Sequence, residues 1–519
     1  MNRRFLTFVA PLAALPLSTA LAAELYVNAA APVGAEAGTQ AAPFRTVQRA
    51  IDAAVAGDVI RVAAGSYREN VRVEAKPLFL EGGYGTDWVR DLSRNTTTLQ
   101  GAGNDAVVTL LGADATIDGF RITGGTGSPL EAPYGYHGGG IYSTDGSPTI
   151  SNNLVEGNDI RRSNEPSEYF FGGGIYVVNT TNATISKNTV RNNFAGRGAG
   201  IYVAGEFALI RGNTIEGNTA IGDHGGGLFV VTRRATVTEN LFRGNEIGRA
   251  LGYGWGGGLI VVGAGNSAEL SFNVLTQNFA AGYGAAEFID EGASATIHHE
   301  LIYGNLSKAG CEAVSAIAVD GGEGGGSQAS ISHCTVVDNV CPDATRGNGL
   351  QVEGGSSVTV TNSIFWGNGG DDFSLDNTSR LSVTFTDSQE SIAGTGNISA
   401  DPLFINAAAA DYRLATGSPC IDAADPASPF SDEPADNGGR ADMGRFGGNA
   451  SGAAPVPPPL GSTPGGSTPG GSTPGNSDGQ NDDDSGDPVS AGLCPGSAAL
   501  MLSLSLVGVR RSPRRPRQS

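Results

Sequence analysis

One sequence repeat recurs along most of this chain and limits the folds that the chain can adopt. Each copy opens on a glycine-rich run before a few apolar residues, as in GGGIYVV from Gly172. It closes on asparagine, as in TISKNTVRNN ending at Asn193. Successive terminal asparagines lie 25–35 residues apart, and the extra residues fall in segments before the glycine runs. Repeats of this length are typical of solenoids and other stacked architectures.

Asparagine occupies two fixed positions of the repeat. The terminal positions are Asn158, Asn193, Asn218, Asn245, Asn278, Asn305, Asn339 and Asn368. The earlier positions are Asn153, Asn188, Asn213, Asn240 and Asn273, followed by Glu300, Cys334 and Ser363. Stacked copies would bring equivalent side chains into register, and amides can hydrogen-bond along such a stack. We therefore predict structural ladders of asparagine.

The apolar residues of one copy fall in three short pieces with a period of two. Ile175 and Val177 share one face of the first piece, Ile185 lies in the second and Val190 in the third. Such pieces indicate short strands, and none would be stable unless equivalent strands stacked on it. We predict an all-β chain, a right-handed parallel β-helix solenoid with three short strands per coil and coils about 4.8 Å apart.

The open ends of a solenoid need covers, because exposed strand edges promote aggregation. The segment FRTVQRAIDAAVAGD places Phe44, Val47, Ile51, Ala54 and Val55 on one helical face. It predicts an N-terminal capping helix over the first coils. At the other end, the segment that runs from DPLF to CIDAAD is expected to end the stack.

The flanks of the chain differ in composition from the repeats. The N-terminus reads as a secretory signal peptide, with a basic start, an apolar run and Ala20-Leu21-Ala22 as the cleavage site; a short membrane anchor is the alternative. We divide the chain into a signal peptide (1–22), the β-helix (23–450), a disordered Pro/Gly/Ser/Thr-rich and acidic linker (451–490) and a C-terminal sorting or anchor signal (491–519). Within the β-helix we assign a cap (23–75), coils (about 76–400) and a closing segment (401–450).

Charge and cysteine usage exclude some partners. The net charge of −20 disfavours nucleic acid, because an acidic surface repels phosphate. The five cysteines contain no CxxC pair, so no zinc motif is present. We expect no cofactor, with weak calcium binding by linker carboxylates such as Asp482 as the alternative to a solvated charge run. A loop disulfide between Cys311 and Cys341 is a further hypothesis, which export would permit.

Three segments carry a family resemblance. YVNAAAP with the following FRTVQRAIDAAVAGDVIRVAAGSYREN, then IDGFRITGG, and finally DPLF to CIDAADP resemble secreted bacterial right-handed parallel β-helix proteins of the pectin-lyase-like fold. Those proteins often carry a C-terminal surface anchor. The glycine-rich repeats are also similar to those of chlamydial polymorphic outer-membrane proteins. The resemblance covers roughly residues 25–450 and implies fold and export. It implies little about activity, because this fold hosts lyases, hydrolases and adhesins alike.

Enzyme patterns of the fold are only partly present. The resemblance implies that its polysaccharide lyases use calcium-binding carboxylates with a Lys or Arg base, and this chain has only three lysines. It implies that its polygalacturonase-type hydrolases use Asp pairs, Gly-His-Gly and Arg-x-Lys. Here Asp371-Asp372 and Asp223-His224-Gly225 occur without the rest of that set. A polysaccharide lyase or glycoside hydrolase therefore stays open as an alternative function.

Residues 283–300 break the repeat. Where GGGLIVV is expected the chain reads GAAEFIDEG, and where an asparagine is expected it reads HHE. Carboxylates with histidine suit acid–base catalysis or metal binding, so the candidate catalytic residues are Glu287, Asp290, His299 and Glu300. The competing interpretation is a coil of shifted register whose polar residues face solvent.

An aromatic row occupies one slot on four consecutive coils: Tyr142, Tyr176, Tyr202 and Phe229. If the residues before them point inward, this row points outward, where rings can stack on sugars. Adjacent loops add further aromatic residues, including Trp255, so these five residues are candidate ligand contacts. The alternative is that the loops fold over the row and bury it as a second core.

These patterns together predict an exported, monomeric protein of the cell surface that meets the membrane only through its C-terminal signal. The leading hypothesis is a non-catalytic protein that contacts glycans or other surface partners through its loop edge. The alternative is a carbohydrate-active enzyme with its site near residues 283–300 or the aromatic row.

Overall fold

Short parallel strands stack in register along the chain. The computed structural model describes residues 22–448 except 35, 130–134, 163–168, 250–251, 308–314, 341–348, 432 and 434–437. The predicted signal peptide, linker, sorting signal and Cys311–Cys341 disulfide lie outside the described residues, as does Asp482. The described residues belong to one compact unit.

The described residues contain one α-helix, α1 (Val47–Ala53), and two short 3-10 helices, Gly322–Gly324 and Ala407–Ala409. The strands of the first part are β1 (Glu24–Val27), β2 (Val59–Ala63), β3 (Gly65–Arg68), β4 (Val71–Glu74), β5 (Phe79–Tyr84), β6 (Thr97–Gln100), β7 (Val108–Leu111), β8 (Thr116–Asp118), β9 (Phe120–Thr123), β10 (Ser128–Pro129), β11 (Tyr136–His137), β12 (Ile141–Thr144), β13 (Thr149–Ser151), β14 (Leu154–Glu156), β15 (Phe170–Phe171), β16 (Ile175–Ser186), β17 (Thr189–Arg191), β18 (Phe194–Ala195), β19 (Ile201–Arg211), β20 (Thr214–Glu216), β21 (Thr219–Ala220) and β22 (Leu228–Thr238). Those of the second part are β23 (Leu241–Arg243), β24 (Glu246–Ile247), β25 (Leu259–Val262), β26 (Ser267–Ser271), β27 (Val274–Thr276), β28 (Phe279–Ala280), β29 (Glu287–Asp290), β30 (Ser294–His298), β31 (Leu301–Tyr303), β32 (Leu306–Ser307), β33 (Ile317–Val319), β34 (Gln328–Ser332), β35 (Thr335–Val337), β36 (Leu350–Val352), β37 (Ser357–Thr361), β38 (Ile364–Trp366), β39 (Phe373–Leu375), β40 (Arg380–Thr384), β41 (Asp387–Ser388), β42 (Phe404–Asn406) and β43 (Asp411–Leu414).

Three stacked faces make up the solenoid. The first face runs through β4, β7, β12, the starts of β16, β19 and β22, then β25, β29, β33, β36 and β39. The second face runs through β1, β2, β5, β8, β13, the ends of β16, β19 and β22, then β26, β30, β34, β37 and β40. The third face is a separate 12-stranded sheet from β3 to β41. Neighbouring strands on all three faces are parallel, so the chain is a parallel β-helix, and β18, β21, β24, β28 and β32 add a fourth, two-residue strand to five coils.

The interior is filled by the alternate residues that the repeat places inward. On the first face Ile175 pairs with Ile201, and on the second Ile185 pairs with Ile210. All of these side chains have no exposed surface, and the same columns continue along the stack as one apolar core. Stacking like on like explains why the short strands are stable together, because each coil covers the apolar edge of the next.

Both asparagine columns form continuous ladders inside the turns. Along the terminal column each amide Nδ2 donates to the next Oδ1 over 2.9–3.0 Å, from Asn158 to Asn368. Every member also satisfies backbone groups, as when Asn218 donates to the carbonyl of Val190 over 2.9 Å. The terminal ladder ends where Asn368 donates to a carboxylate oxygen of Asp372 over 2.7 Å.

The glycine runs allow the coils to approach closely. A Cβ built on Gly227 would lie 2.4 Å from the carbonyl oxygen of Gly258 in the next coil, too close for any side chain. Gly225 adopts φ +68°, a left-handed conformation that glycine adopts without a steric penalty. The run is therefore architectural.

Helix α1 covers the N-terminal end of the core, as predicted. Val47 and Ile51 are buried against the first coils, whereas Val55 lies outside the helix and is 62% exposed, so its predicted place on the buried face was wrong. The carboxylate of Glu69 accepts hydrogen bonds from two backbone N–H groups of the first turn, and Lys76 donates to two carbonyls at the other end. Both helix ends are thus satisfied by side chains from a neighbouring coil.

The closing segment lies along the side of the solenoid. Its buried side chains, including Tyr412 and Met443, pack on outward-facing residues of the third face such as Leu301 and Ile364. The expectation that this segment ends the stack was therefore wrong. The contact forms because the outward positions of the third face become apolar in the later coils.

Candidate functional site

The aromatic row forms a continuous stack on the outer side of the first face. Ring centroids lie 5.5 Å apart between Tyr142 and Tyr176, 5.1 Å between Tyr176 and Tyr202, and 5.0 Å between Tyr202 and Phe229. Adjacent rings are nearly parallel, with interplanar angles of 16°, 24° and 26°. The stack follows from register, because each ring occupies the paired position of the next strand.

Loop residues cover this row. The four stacked residues retain only 6–9% of their surface, and His137 stacks on Tyr176 with ring centroids 4.8 Å apart. Phe171 and Trp255 pack on the same cluster. Burial raises the pKa of the Tyr202 hydroxyl to about 12. The row is a second core, and its rings are closed to sugars, so the predicted ligand contacts at these four positions were wrong.

A charged network joins the loops beside this second core. Arg197 donates to Asp223, whose Oδ1 lies 3.0 Å from His224 Nδ1, and His224 Nε2 lies 3.9 Å from Asp290 Oδ2. Burial opposes a charged imidazole, but the two carboxylates overcome it and raise the pKa of His224 to about 9. The partly buried Trp255 lies against His224, with ring centroids 5.1 Å apart. The network holds loops of separate coils together, and sequence reasoning missed it because Asp290 comes from a distant part of the chain.

Glu287 and Glu300 meet inside the solenoid. Glu287 occupies the inward column between Leu259 and Ile317, and Glu300 takes the asparagine slot of its turn. Neither carboxylate has exposed surface. Asn273 donates to Glu300 Oε1 over 2.6 Å, so the earlier asparagine ladder also ends on a carboxylate. The expectation that the polar residues of this coil face solvent was wrong for this pair.

Burial and the proximity of the two carboxyl groups raise the pKa of Glu287 well above its ordinary value. Burial also raises the pKa of Glu300, although Asn273 and the nearby Arg445 favour its charged form. Neither oxygen of Glu287 has a hydrogen-bond donor among the described residues. A proton on Glu287 would give the pair a donor, so we assign the proton to Glu287 and the charge to Glu300. No polysaccharide can reach this pair.

The remaining candidate, His299, lies on a third surface. It occupies a left-handed turn position with φ +54°, in one column with Phe272 and His333. Its ring lies under the closing segment, with Nε2 3.1 Å from the carbonyl oxygen of Gly447. The structure therefore separates the four candidate catalytic residues into an interior pair, one member of the charged network and one turn residue, and they do not form a common catalytic site.

An open concave surface lies on the second face. A shallow groove of about 510 Å³ crosses five coils from β22 to β37. Its floor is the strand backbone at Ala235, Ala268, Ala295 and Ala329, whose small side chains point inward. One rim carries Arg234, Ser267, Ser294, Gln328 and Ser357, and the other carries Thr236, Glu269, Thr296, Ser330 and Thr359.

The groove has an aromatic platform and a charged side. Phe207 continues the first rim by one coil, is 42% exposed, and carries the Arg234 guanidinium 5.8 Å from its ring centroid. Across the floor Glu269 has a half-exposed side chain, and its Oε1 lies 3.5 Å from His298 Nε2. An exposed ring flanked by hydroxyl, amide and carboxylate groups is the kind of surface that contacts sugars. Ser and Thr recur on this face in the sequence, but small and hydroxyl residues are too weak a signal to predict a groove.

Comparisons with known proteins agree with the fold. A family model described as right handed beta helix region matches residues 91–275, and the predicted right-handed parallel β-helix is confirmed. The crystal structure of pectate lyase Pel9A is similar at 14% identity and TM-score 0.44, covering 82% of this chain and 96% of that one. The complex of XylC with xylose is similar at 10% identity and TM-score 0.35, covering 73% and 87%. A search of curated proteins finds no match. Within the described residues, no helix has both the length and the apolar character needed to cross a membrane.

Proposed function

We propose that this chain is an exported surface protein that binds a glycan without cleaving it, and that the groove of the second face is the contact surface. The observation that carries the proposal is the groove itself, in which Arg234 and Glu269 are accessible above a floor of backbone and beside which Phe207 is exposed one coil away. Glycan contact through the loop edge was the leading hypothesis from the sequence. We keep glycan contact but propose the second face as the contact surface instead of the loop edge. Export and surface attachment rest on the predicted signals at the two ends of the sequence.

The geometry of the rims suits a repeating ligand. Equivalent rim side chains recur once per coil, at about 4.8 Å, a spacing close to the length of one sugar unit in an extended polysaccharide. Ser267, Ser294 and Gln328 pair directly along one rim. An extended glycan laid along the solenoid axis would meet the same kind of hydrogen-bonding group at each unit. The exposed ring of Phe207 would fix one end of the chain by stacking.

A glycan array probed with the purified protein tests the proposal. Replacement of Phe207 and Arg234 by alanine should abolish or strongly weaken binding without unfolding the protein, because both side chains are exposed. Tyr253→Ala is the matched control, since Tyr253 is 42% exposed on the loop edge. Binding that survives the groove variant and is lost in Tyr253→Ala would return the contact to the loop edge.

A carbohydrate-active enzyme is the second candidate, and one contact favours it. Glu269 and His298 place a carboxylate and an imidazole 3.5 Å apart beside the groove, a pair that could exchange a proton with a bound sugar. Assays for reducing ends and for unsaturated products, run on the glycans that bind, decide between the two functions. Cleavage that disappears in Glu269→Gln would establish the enzyme and overturn the binding-only proposal, and such an enzyme should keep its cleavage in Glu287→Gln.

A further inference from the structure

Phe272, His299 and His333 occupy equivalent left-handed turn positions on successive coils, and we call this row of stacked rings the turn column. It supports the last described residues of the closing segment. Phe272 lies 5.0 Å from His299 between ring centroids, and His299 lies 5.0 Å from His333 with an interplanar angle of 5°. Both histidines are 8% exposed. Gly447 covers the first imidazole and Gly448 the second, so the segment rests directly on the stack.

The hydrogen bonds of His299 fit its neutral form without any change in the neighbouring rings. Its Nε2 faces the carbonyl oxygen of Gly447 at 3.1 Å, and a carbonyl can only accept, so Nε2 carries the hydrogen. Its Nδ1 lies 3.0 Å from His298 Nδ1 and must then accept from that nitrogen. A second proton on His299 would require His298 to move its own hydrogen from Nδ1 to Nε2, because two N–H groups would otherwise face each other. His333 Nε2 has no partner among the described residues, so a proton there would also be buried without an acceptor.

Among the charged groups around the stack, Arg445 adds to this preference. Arg445, from the closing segment, is fully buried and donates to the carbonyl of Asn273 over 3.0 Å. Its fixed positive charge disfavours further cations on the stack. The titratable groups that face the stack from the coils are His298, with Glu269 beyond it, and the buried Glu300. From the closing segment itself, Glu433 accepts from the Gly448 backbone, and Asp442 donates its backbone N–H to the same carboxylate over 3.0 Å.

We propose that the closing segment is a strap that acid releases, because protonation of His299 and His333 breaks its seat on the turn column. Two imidazolium rings stacked beside Arg445 would put three positive charges in one buried patch. Release would uncover the apolar residues of the third face that the segment now covers, Leu301 and Ile364 among them. The strap therefore makes exposure of an apolar surface depend on the pH of the compartment.

The pKa values of the two histidines give the direction of the pH effect and the pH range in which docking weakens. Burial lowers the pKa of His299 to about 3 and that of His333 to about 4. The two histidines thus bind fewer protons in the docked state than in the released state below the ordinary value of 6.5. Burial raises the pKa of Asp442 to about 6 and also raises that of Glu433, so these two carboxyls favour docking in acid and oppose part of the effect of the histidines. Docking is at full strength above pH 6.5 and weakens as the pH falls towards those values. At pH 4.5, two units below 6.5, each histidine can lower the equilibrium constant for docking of the segment by at most about 100-fold.

Hydrogen exchange followed by mass spectrometry at pH 7 and 4.5, corrected for intrinsic rates, measures the release. Protection of residues 440–448 should fall by about tenfold between the two values. Trp366, one of three tryptophans, packs against the covered cluster, so its fluorescence in a Trp88→Phe, Trp255→Phe background gives an independent reading. The double variant His299→Phe, His333→Phe keeps the stacked rings and should show no acid step.

Asn362→Ala is the matched control. Its amide donates to Ser428 and accepts from the backbone of Asp425, so its loss should loosen the segment equally at both pH values. Full protection of residues 440–448 at pH 4.5 in the unmodified protein would overturn the proposal. It would also be overturned by the same acid step in the double histidine variant, or by simultaneous loss of protection in distant strands such as Thr189–Arg191, which would mean global unfolding.

Discussion

Replacement of Glu287 by glutamine should stabilise this protein near neutral pH. Glu287 takes an inward slot that Leu259 and Ile317 fill in the neighbouring coils, and it faces the buried Glu300. Folding therefore requires the pair to hold a proton that the unfolded chain would release at pH 7. Glutamine keeps the shape of the side chain, carries no charge, and offers an N–H donor to the unpartnered oxygen of Glu300.

The magnitude follows from proton linkage. The pKa of Glu287 in the folded chain is raised above its ordinary 4.5, so stability is fully present below pH 4.5 and is lost as the pH rises towards the folded value. Each pH unit above 4.5 removes up to about 1.4 kcal/mol, which limits the loss to about 3.4 kcal/mol at pH 7. Glu287→Gln should therefore add about 2 kcal/mol to the free energy of unfolding at pH 7 and little at pH 5.

Denaturant midpoints measured from pH 5 to 8 test this reasoning. The unmodified protein should lose stability across that range, whereas Glu287→Gln should show a flatter profile with an unchanged denaturant slope. Glu269→Gln, an exposed carboxylate on an adjacent coil, is the control and should shift stability by less than about 0.5 kcal/mol. Equal stability of Glu287→Gln and the unmodified protein at pH 7, with parallel pH profiles, would refute a proton held in the interior.

Three further substitutions separate architecture from binding, each measured by its denaturant midpoint. Asn218→Ala should lower stability by about 2–4 kcal/mol because it breaks a buried ladder and leaves its partners unsatisfied, whereas the exposed Asn182→Ala should be nearly neutral. Tyr202→Ala should destabilise by about 3–5 kcal/mol without a selective loss of glycan binding, because the ring is core. Gly227→Ala should destabilise by about 1–3 kcal/mol, since its Cβ would clash with the Gly258 carbonyl.

The repeat predicts those structural features that depend only on the register between stacked copies. Equal positions on successive copies must stack, so the inward apolar columns, the asparagine ladders and the outward direction of the aromatic row follow from the alignment. The same alignment contained the position of Glu287, because GAAEFI aligned with GGGLIV puts it in the Leu259 slot. The expectation of solvent-facing side chains was wrong because it gave more weight to the polarity of a residue than to the geometry of its slot.

Contacts between the loops of different coils follow no repeat and could not be predicted. Asp223 and His224 precede one glycine run and Asp290 follows another, so only the folded loops bring them together. The cover over the aromatic row has the same origin. It comes from loops of variable length, and their sequence shows aromatic residues without showing which way they fold. The groove went unpredicted for a different reason, because small and hydroxyl residues carry little signal in a single sequence.

The lateral docking of the closing segment had a signal that lies in one outward column of the third face. In the earlier coils this column alternates in charge through Glu156, Arg191, Glu216 and Arg243, and neighbouring members pair directly. In the later coils the same column reads Thr276, Tyr303, Val337 and Trp366. A column that pairs its charges needs no cover, whereas an outward apolar column must be buried by another part of the chain. The change from charge to apolar side chains thus marks where the closing segment docks. The buried histidines on the adjacent turn column would then make that docking depend on pH.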